Sequence, residues 1–259
     1  MKQVPPPMSF ATRVRCGLAV FCYVCFGLGG TFVSLVLLLI SPLLSEKKRV
    51  KVGSRVLQGS WKLMCLLLRM TRNLSLRVPE RDAMAHIRGS IIVANHPSLI
   101  DVVILASIIP YCKLVVSPKL MRWRFLRPIL RGLCIINNGD TAYFMQQAET
   151  CLKQGFNIII FPEGTRTTPG VASRMQRGSF HVALLTGCPL YPIHIHTDMP
   201  FLTKEYPWWY VGEHCPRFTL TLTPPIHAKM QPGESRHGAA IRVCREVAAR
   251  ILPEQTGGA

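Results

Sequence analysis

Acidic residues are scarce in this chain. Only 13 Asp and Glu stand against 31 Lys and Arg in 259 residues, for a formal charge of +18. That imbalance points to anionic partners: nucleic acid, anionic lipid headgroups, or acidic carriers and cofactors. No nucleic-acid recognition motif accompanies the charge, which removes the first of these. No internal repeat is present, which excludes solenoids and propellers. No metal-binding spacing stands out. The 10 Cys are scattered, several of them in apolar runs, and read as reduced thiols of a cytoplasmic domain. Cys22 and Cys25 have redox-motif spacing but lie inside a membrane-like segment. His194 and His196 would share a strand face, with His214 and Cys215 further on, yet no third or fourth ligand has suitable spacing. Ordinary strand alternation accounts for the two histidines, and no metal is expected.

Charge is also missing from residues 16–44, an unbroken apolar run longer than the roughly 20 residues that cross a bilayer. Its length, and the lack of a small-residue cleavage site, argue against a cleaved signal peptide. Gly27, Gly29 and Gly30 leave a kinked or re-entrant helix pair open. Lys47, Lys48, Arg49, Lys51 and Arg55 follow closely, so the positive-inside bias puts the rest of the chain on the cytoplasmic side of an inner or cytoplasmic membrane. Residues 50–72 read as a basic amphipathic helix carrying Trp61, suited to a membrane interface or to packing on the core.

From residue 73 the pattern alternates between strands and helices. Strands are expected at 73–78, 90–95, 112–117, 133–137, 157–161, 189–196 and 216–223, and helices at 98–108, 119–131, 141–154, 178–186 and 235–252. Short β-branched runs such as Ile91-Ile92-Val93 and Ile158-Ile159-Ile160 suit strands buried on both faces. The expected fold is α/β: a mixed, mostly parallel sheet of about seven strands flanked by helices, with an N-terminal membrane-binding helical segment. Residues 1–72 then form the anchor and interfacial helix, 73–253 the catalytic domain, and 254–259 a frayed tail.

Two motifs carry chemistry. Asn95-His96-Pro97-Ser98-Leu99-Ile100-Asp101 follows the run that ends at Ala94. A histidine held by a carboxylate is a general base active near neutral pH. Five residues on one helix turn roughly 500°, so the two side chains meet only if His96 precedes the helix and Asp101 lies inside it. Pro97, favoured at a first helical position, supports that placement. Phe161-Pro162-Glu163-Gly164-Thr165-Arg166 follows the strand at 157–160. Both motifs therefore leave the C-terminal ends of buried strands, the edge where open parallel sheets bind ligands. Gly164 allows close backbone approach, Arg166 offers a fork of donors suited to phosphate, and Glu163 can orient Arg166 or bind a hydroxyl. Backbone amides near Pro97–Leu99, or near Gly164, are candidate oxyanion donors.

The paired motifs resemble those of the 1-acylglycerol-3-phosphate (lysophosphatidate) acyltransferase family of membrane-associated glycerolipid acyltransferases. Asn-His-x4-Asp and Phe-Pro-Glu-Gly-Thr-Arg stand in order, some sixty residues apart. Gly187–Ile193 and Ser117–Leu120 are similar to further family segments, and the likeness covers residues 75–225. The resemblance implies a glycerolipid-acyltransferase-like fold and transfer of a fatty acyl group from acyl-CoA or acyl carrier protein, as co-substrate rather than cofactor, to a lysophospholipid hydroxyl. It implies His96 and Asp101 as catalytic residues. It implies substrate binding by Glu163, Gly164, Thr165, Arg166, Lys119, Asn137 and Asn138. Membrane lipids and the acyl donor are the implied partners. One element departs from the pattern: Asn138 stands where the family usually has Arg, in the block associated with the acceptor's glycerol phosphate. This opens a second acceptor class: a glycolipid, an amino-acid lipid or a specialised pathway lipid. A non-catalytic membrane-binding module and a metal-dependent hydrolase are the alternatives from other classes.

Overall fold

The structure is a computed structural model and describes residues 3–40, 45–116, 134–136, 140–167 and 175–252. The chain divides into two units: Met1–Val78 with Pro97–Pro110 and His196–Thr219, and Pro79–His96 with Tyr111–Ile195 and Leu220–Ala259.

The second unit holds most of the sheet. Its strands are β2 (Ile91–Ala94), β3 (Cys112–Val116), β4 (Cys134–Ile136), β5 (Asn157–Ile160), most of β6 (Pro189–Thr197) and β8 (Ile226–His227). Their order is β6-β2-β5-β3-β4, all parallel, with β8 antiparallel to β6. Every position of β2 and β5 is buried, as their β-branched sequences require. The covering apolar faces come from α5 (Thr141–Lys153), α6 (Gly178–Thr186) and α7 (Arg236–Ile251), through Phe144, Ala148, Phe180, Ala183, Val243 and Val247. Asp140 caps α5 by accepting from the Tyr143 amide at 3.1 Å, and Ser235 caps α7 by accepting from the Gly238 amide at 3.1 Å. Gly187 ends α6 with φ of 67°, a left-handed conformation that glycine adopts without cost.

The first unit contains α1 (Phe10–Ile40), α2 (Glu46–Met70), β1 (Ser75–Arg77), α4 (Asp101–Ile108) and the start of β7 (Arg217–Leu222), which runs parallel to β1. Helix α1 begins six residues before the charge-free run, because the Ser9 hydroxyl accepts from the Thr12 amide at 3.1 Å and caps it. Its Arg15 donates to the carbonyls of Arg72, Glu213 and His214 at 3.2, 3.0 and 2.8 Å. Cys16, Ala19 and Cys22 are buried on one face of α1. The opposite face carries Phe10, Val14, Leu18, Phe21, Val24, Leu28, Phe32, Leu35 and Leu39, all exposed at three- and four-residue steps. Residues Phe10–Val33 are long and apolar enough to cross a membrane. Helix α4 is short and buried, and its last carbonyls accept from Gln58 Nε2 of α2 at 3.4–3.5 Å.

All seven expected strands are present within one or two residues of their expected ends. Two elements had no signal. Helix α3 (Arg81–His86) is a single polar segment too short to show periodicity, and β8 has only two residues. The helix expected at 119–131 lies outside the described residues. Helix α4 starts at Asp101 rather than near Pro97, and this corrects the expected boundary. The Asp101 carboxylate accepts from the Ser98 amide at 2.7 Å, while the Ser98 hydroxyl accepts from the Ile100 amide at 3.3 Å and donates to the Phe201 carbonyl. These side-chain bonds close a turn over residues 97–100 that competes with the first helical turn.

Candidate active site

The site is built on two adjacent strands. β2 and β5 pair in parallel, with Ile92 opposite Ile159 and Val93 opposite Ile160, so both chains emerge at the same sheet edge. On its other side β2 pairs with β6 as far as Ala94 opposite Ile193. One residue on, the Asn95 side chain replaces the backbone. Its Nδ2 donates to the Ile195 carbonyl at 2.8 Å and its Oδ1 accepts from the Ile195 amide at 2.7 Å. That pair completes the ladder and lets the main chain turn away at His96.

The backbone of His96 is then held by the second motif. Its amide donates to Thr167 Oγ1 at 2.8 Å and to Glu163 Oε1 at 3.2 Å, and its carbonyl accepts from the Thr167 amide at 2.7 Å. Thr167 Oγ1 in turn donates to Glu163 Oε1, so one carboxylate oxygen closes the network. The imidazole stacks on Phe161, with ring centroids 4.1 Å apart and planes 22° apart. Stacking fixes the ring plane that a proton acceptor needs. The other Glu163 oxygen, Oε2, is buried and has no hydrogen-bond partner among the described residues. A buried carboxylate oxygen in that position is costly unless a donor or a cation arrives.

The turn after β5 is tight. The Gly164 amide donates to the Phe161 carbonyl at 3.0 Å, and Gly164 has φ of 64°. A side chain there would be strained by that φ and would also strike Gln176, whose amide donates to the Pro162 carbonyl at 2.7 Å. Gly164 and Thr165 are exposed, and Arg166 is half-buried.

Of the residues the sequence singled out, the structure thus brings together His96 and Glu163, with Gly164, Thr165 and Arg166 in the same turn. Asp101 belongs to the first unit, where its side chain is fully buried and anchored to Ser98. Lys119, Asn137 and Asn138 lie outside the described residues. The amides of Ser98, Leu99 and Gly164 are not available as oxyanion donors, a correction to their candidacy. They already donate to Asp101 Oδ2, the Leu202 carbonyl and the Phe161 carbonyl. Thr167 was missed. It lies one residue beyond the recognisable motif, and only a β-hydroxyl type marks it. Among the described residues, no group of three or more His, Cys, Asp and Glu could hold a metal ion, and His194 Nδ1 lies 2.7 Å from the Ile251 carbonyl.

A strand-end histidine tied to a Glu-Gly-Thr-Arg turn defines a class. Residues 75–196 match the family model described as Acyltransferase, which spans both motifs. The 1-acyl-sn-glycerol-3-phosphate acyltransferase alpha of Mus musculus is 28% identical over 152 residues, 55% of this chain and 53% of that protein. The Ovis aries protein of the same name is 28% identical over 174 residues, 63% of this chain and 59% of that protein. The crystal structure of the 1-acyl-sn-glycerophosphate (LPA) acyltransferase PlsC from Thermotoga maritima superposes with a TM-score of 0.71 at 20% identity, covering 95% of this chain and 99% of that one. Across both motifs the chain is similar to the 1-acylglycerol-3-phosphate (lysophosphatidate) acyltransferase family, and its fold is that of a solved member. It spans between half and three-fifths of the length of the mammalian alpha relatives it matches, 53–59%.

Proposed function

We propose that the chain is an O-acyltransferase that moves a fatty acyl group from an acyl thioester to the free hydroxyl of a lysophospholipid, 1-acylglycerol-3-phosphate in the first place. The observation that carries this reading is the double tie of the His96 backbone to Glu163 and Thr167. In this mechanism His96 takes the acceptor's hydroxyl proton as the oxygen attacks the thioester carbonyl. Asp101 orients the imidazole and stabilises its charged form. The tetrahedral intermediate expels the thiolate, which takes the proton back from His96. Arg166 and Lys119 hold the acceptor phosphate.

The exposed apolar face of α1 enters the membrane that supplies the acceptor, and the basic residues at 47–55 keep the remaining chain on the cytoplasmic face.

The test is release of free thiol from acyl-CoA by the purified chain, with lysophosphatidate as acceptor. His96→Ala should lower turnover by about a hundred- to ten-thousandfold. Near-normal turnover by this variant would sink the mechanism.

Asn138 favours a second reading, in which the acceptor is a lipid hydroxyl without the phosphate. In that case Asn138→Arg brings no gain on the true acceptor. A marked gain with lysophosphatidate would instead identify a weakened phosphate site.

A further inference from the structure

Beside the turn after β5 lies a group of cations that the proposed reaction does not use. Gln176, packed on Pro162 and Gly164, is followed by Arg177 at the start of α6. His181 is one turn further on, and Arg236 and His237 begin α7. Three of the side chains converge, and Arg236 lies near enough for its charge to act on His181. Arg177 Nη1 lies 3.1 Å from His237 Nε2, and the His181 and His237 rings stack with centroids 6.3 Å apart. Among the described residues none of the four has a carboxylate partner. Glu234, the nearest acidic residue in sequence, is engaged by Arg242 at 2.8 Å.

A guanidinium can only donate, so Arg177 Nη1 supplies the hydrogen of its contact with His237. Burial first, then the charges of His237, Arg236 and Arg177, push His181 below its ordinary value. Like charges gathered without a counterion are unfavourable, and an incoming polyanion relieves this. It gives Arg177 a charged acceptor.

Resting on the acyl-transfer reading above, we infer that Arg177, His181, Arg236 and His237 form a phosphate subsite for the nucleotide end of the acyl donor, which makes that donor a CoA-type thioester. The cluster is compact, with two forked guanidiniums and two rings, and so suits the clustered phosphates of a nucleotide carrier. It also follows directly in the chain from the segment packed on the Glu163–Arg166 turn, so a donor bound there has its thioester arm on the catalytic side.

The test compares acyl-CoA, acyl-3′-dephospho-CoA and acyl-pantetheine as donors for the full chain in detergent micelles. The wild type should lose about ten- to hundredfold in kcat/KM from acyl-CoA to acyl-pantetheine. In the double variant Arg177→Gln/Arg236→Gln the three donors should converge on one value, whereas Arg177→Lys/Arg236→Lys should keep most of the ratio. An active wild type that does not discriminate among donors, that prefers acyl carrier protein, or whose donor ratio survives the glutamine substitutions overturns the subsite and leaves the reaction standing. A wild type without transferase activity that still binds CoA in a calorimetric titration, with binding lost in the glutamine variant, keeps the subsite and overturns the reaction.

Discussion

At the ends of β2 and β5 the polar backbone groups are taken up one by one: Ile195 by the Asn95 side chain, His96 by Thr167 and Glu163, Gly164 by Phe161. Along α1 the backbone is satisfied within the helix, and it is the apolar side chains that lack partners. One face of α1 is packed, with Arg15 bonded to four carbonyls, while Phe10, Phe21, Leu28, Phe32 and Leu39 are each more than half exposed. A stripe of that extent is far more than a soluble monomer leaves bare. The sheet-edge turns are therefore built for a fixed geometry, and α1 for a fluid, apolar partner. The proposed chemistry and the proposed membrane attachment thus fall on separate residues and should be separable by mutation.

The largest effect expected tests one half of that separation. His96→Ala should lose most turnover while vesicle binding, followed by co-sedimentation, stays at the wild-type level. Loss of both together would break the division. Next comes the other half. Leu28→Glu with Phe32→Glu should weaken partitioning onto anionic vesicles by about a hundredfold, because each apolar side chain contributes about 1.5–3 kcal/mol when buried. Undiminished binding would remove α1 from the membrane surface. A smaller change sharpens the role of the turn. Thr167→Val keeps the shape of the side chain but removes the oxygen that links His96 to Glu163. It should lower kcat about tenfold with little change in KM, the loss of about one hydrogen bond's worth of positioning. Thr167→Ser should recover most of it, and equal losses in both variants would count against the hydroxyl. The smallest effect falls on stability: Asn95→Ala leaves the Ile195 amide and carbonyl unpaired in a buried place, at a cost of about 1–3 kcal/mol. Thermal unfolding should then move down by several degrees, and an unchanged midpoint would mean that water replaces the amide.

The sequence was informative where one physical requirement dominates. Ile91–Val93 and Ile158–Ile160 are β-branched throughout because both faces of those strands are covered, and few other environments call for such a run. The two motifs were legible as strand-end turns for the same reason, since each follows such a run. The start of α4 was not legible, because Pro97 fits a first helical position and nothing local reveals that the Ser98 hydroxyl would be drawn to Phe201, 103 residues away. Thr167 escaped notice because its partners are 71 and 4 residues distant, and a threonine in a loop has many uses. The uncharged run from Cys16 announced an apolar helix but not that Arg13 and Arg15 belong to it, since Arg15 is accommodated through carbonyls of residues 72, 211, 213 and 214, distant in sequence.

Asn95 has a consequence for which residues its position will accept. A strand residue offers its neighbour one donor and one acceptor, and the Asn95 amide offers the same two at the same spacing to Ile195. Aspartate has the shape but brings two acceptors, so its carboxylate would face the Ile195 carbonyl without a proton between them. Glutamine carries both groups on a stem one methylene too long for the slot, and a leucine fills the space while leaving both groups of Ile195 dry. The alphabet at this position shrinks to a single letter, set by the hydrogen-bond grammar of a sheet that ends one residue before His96.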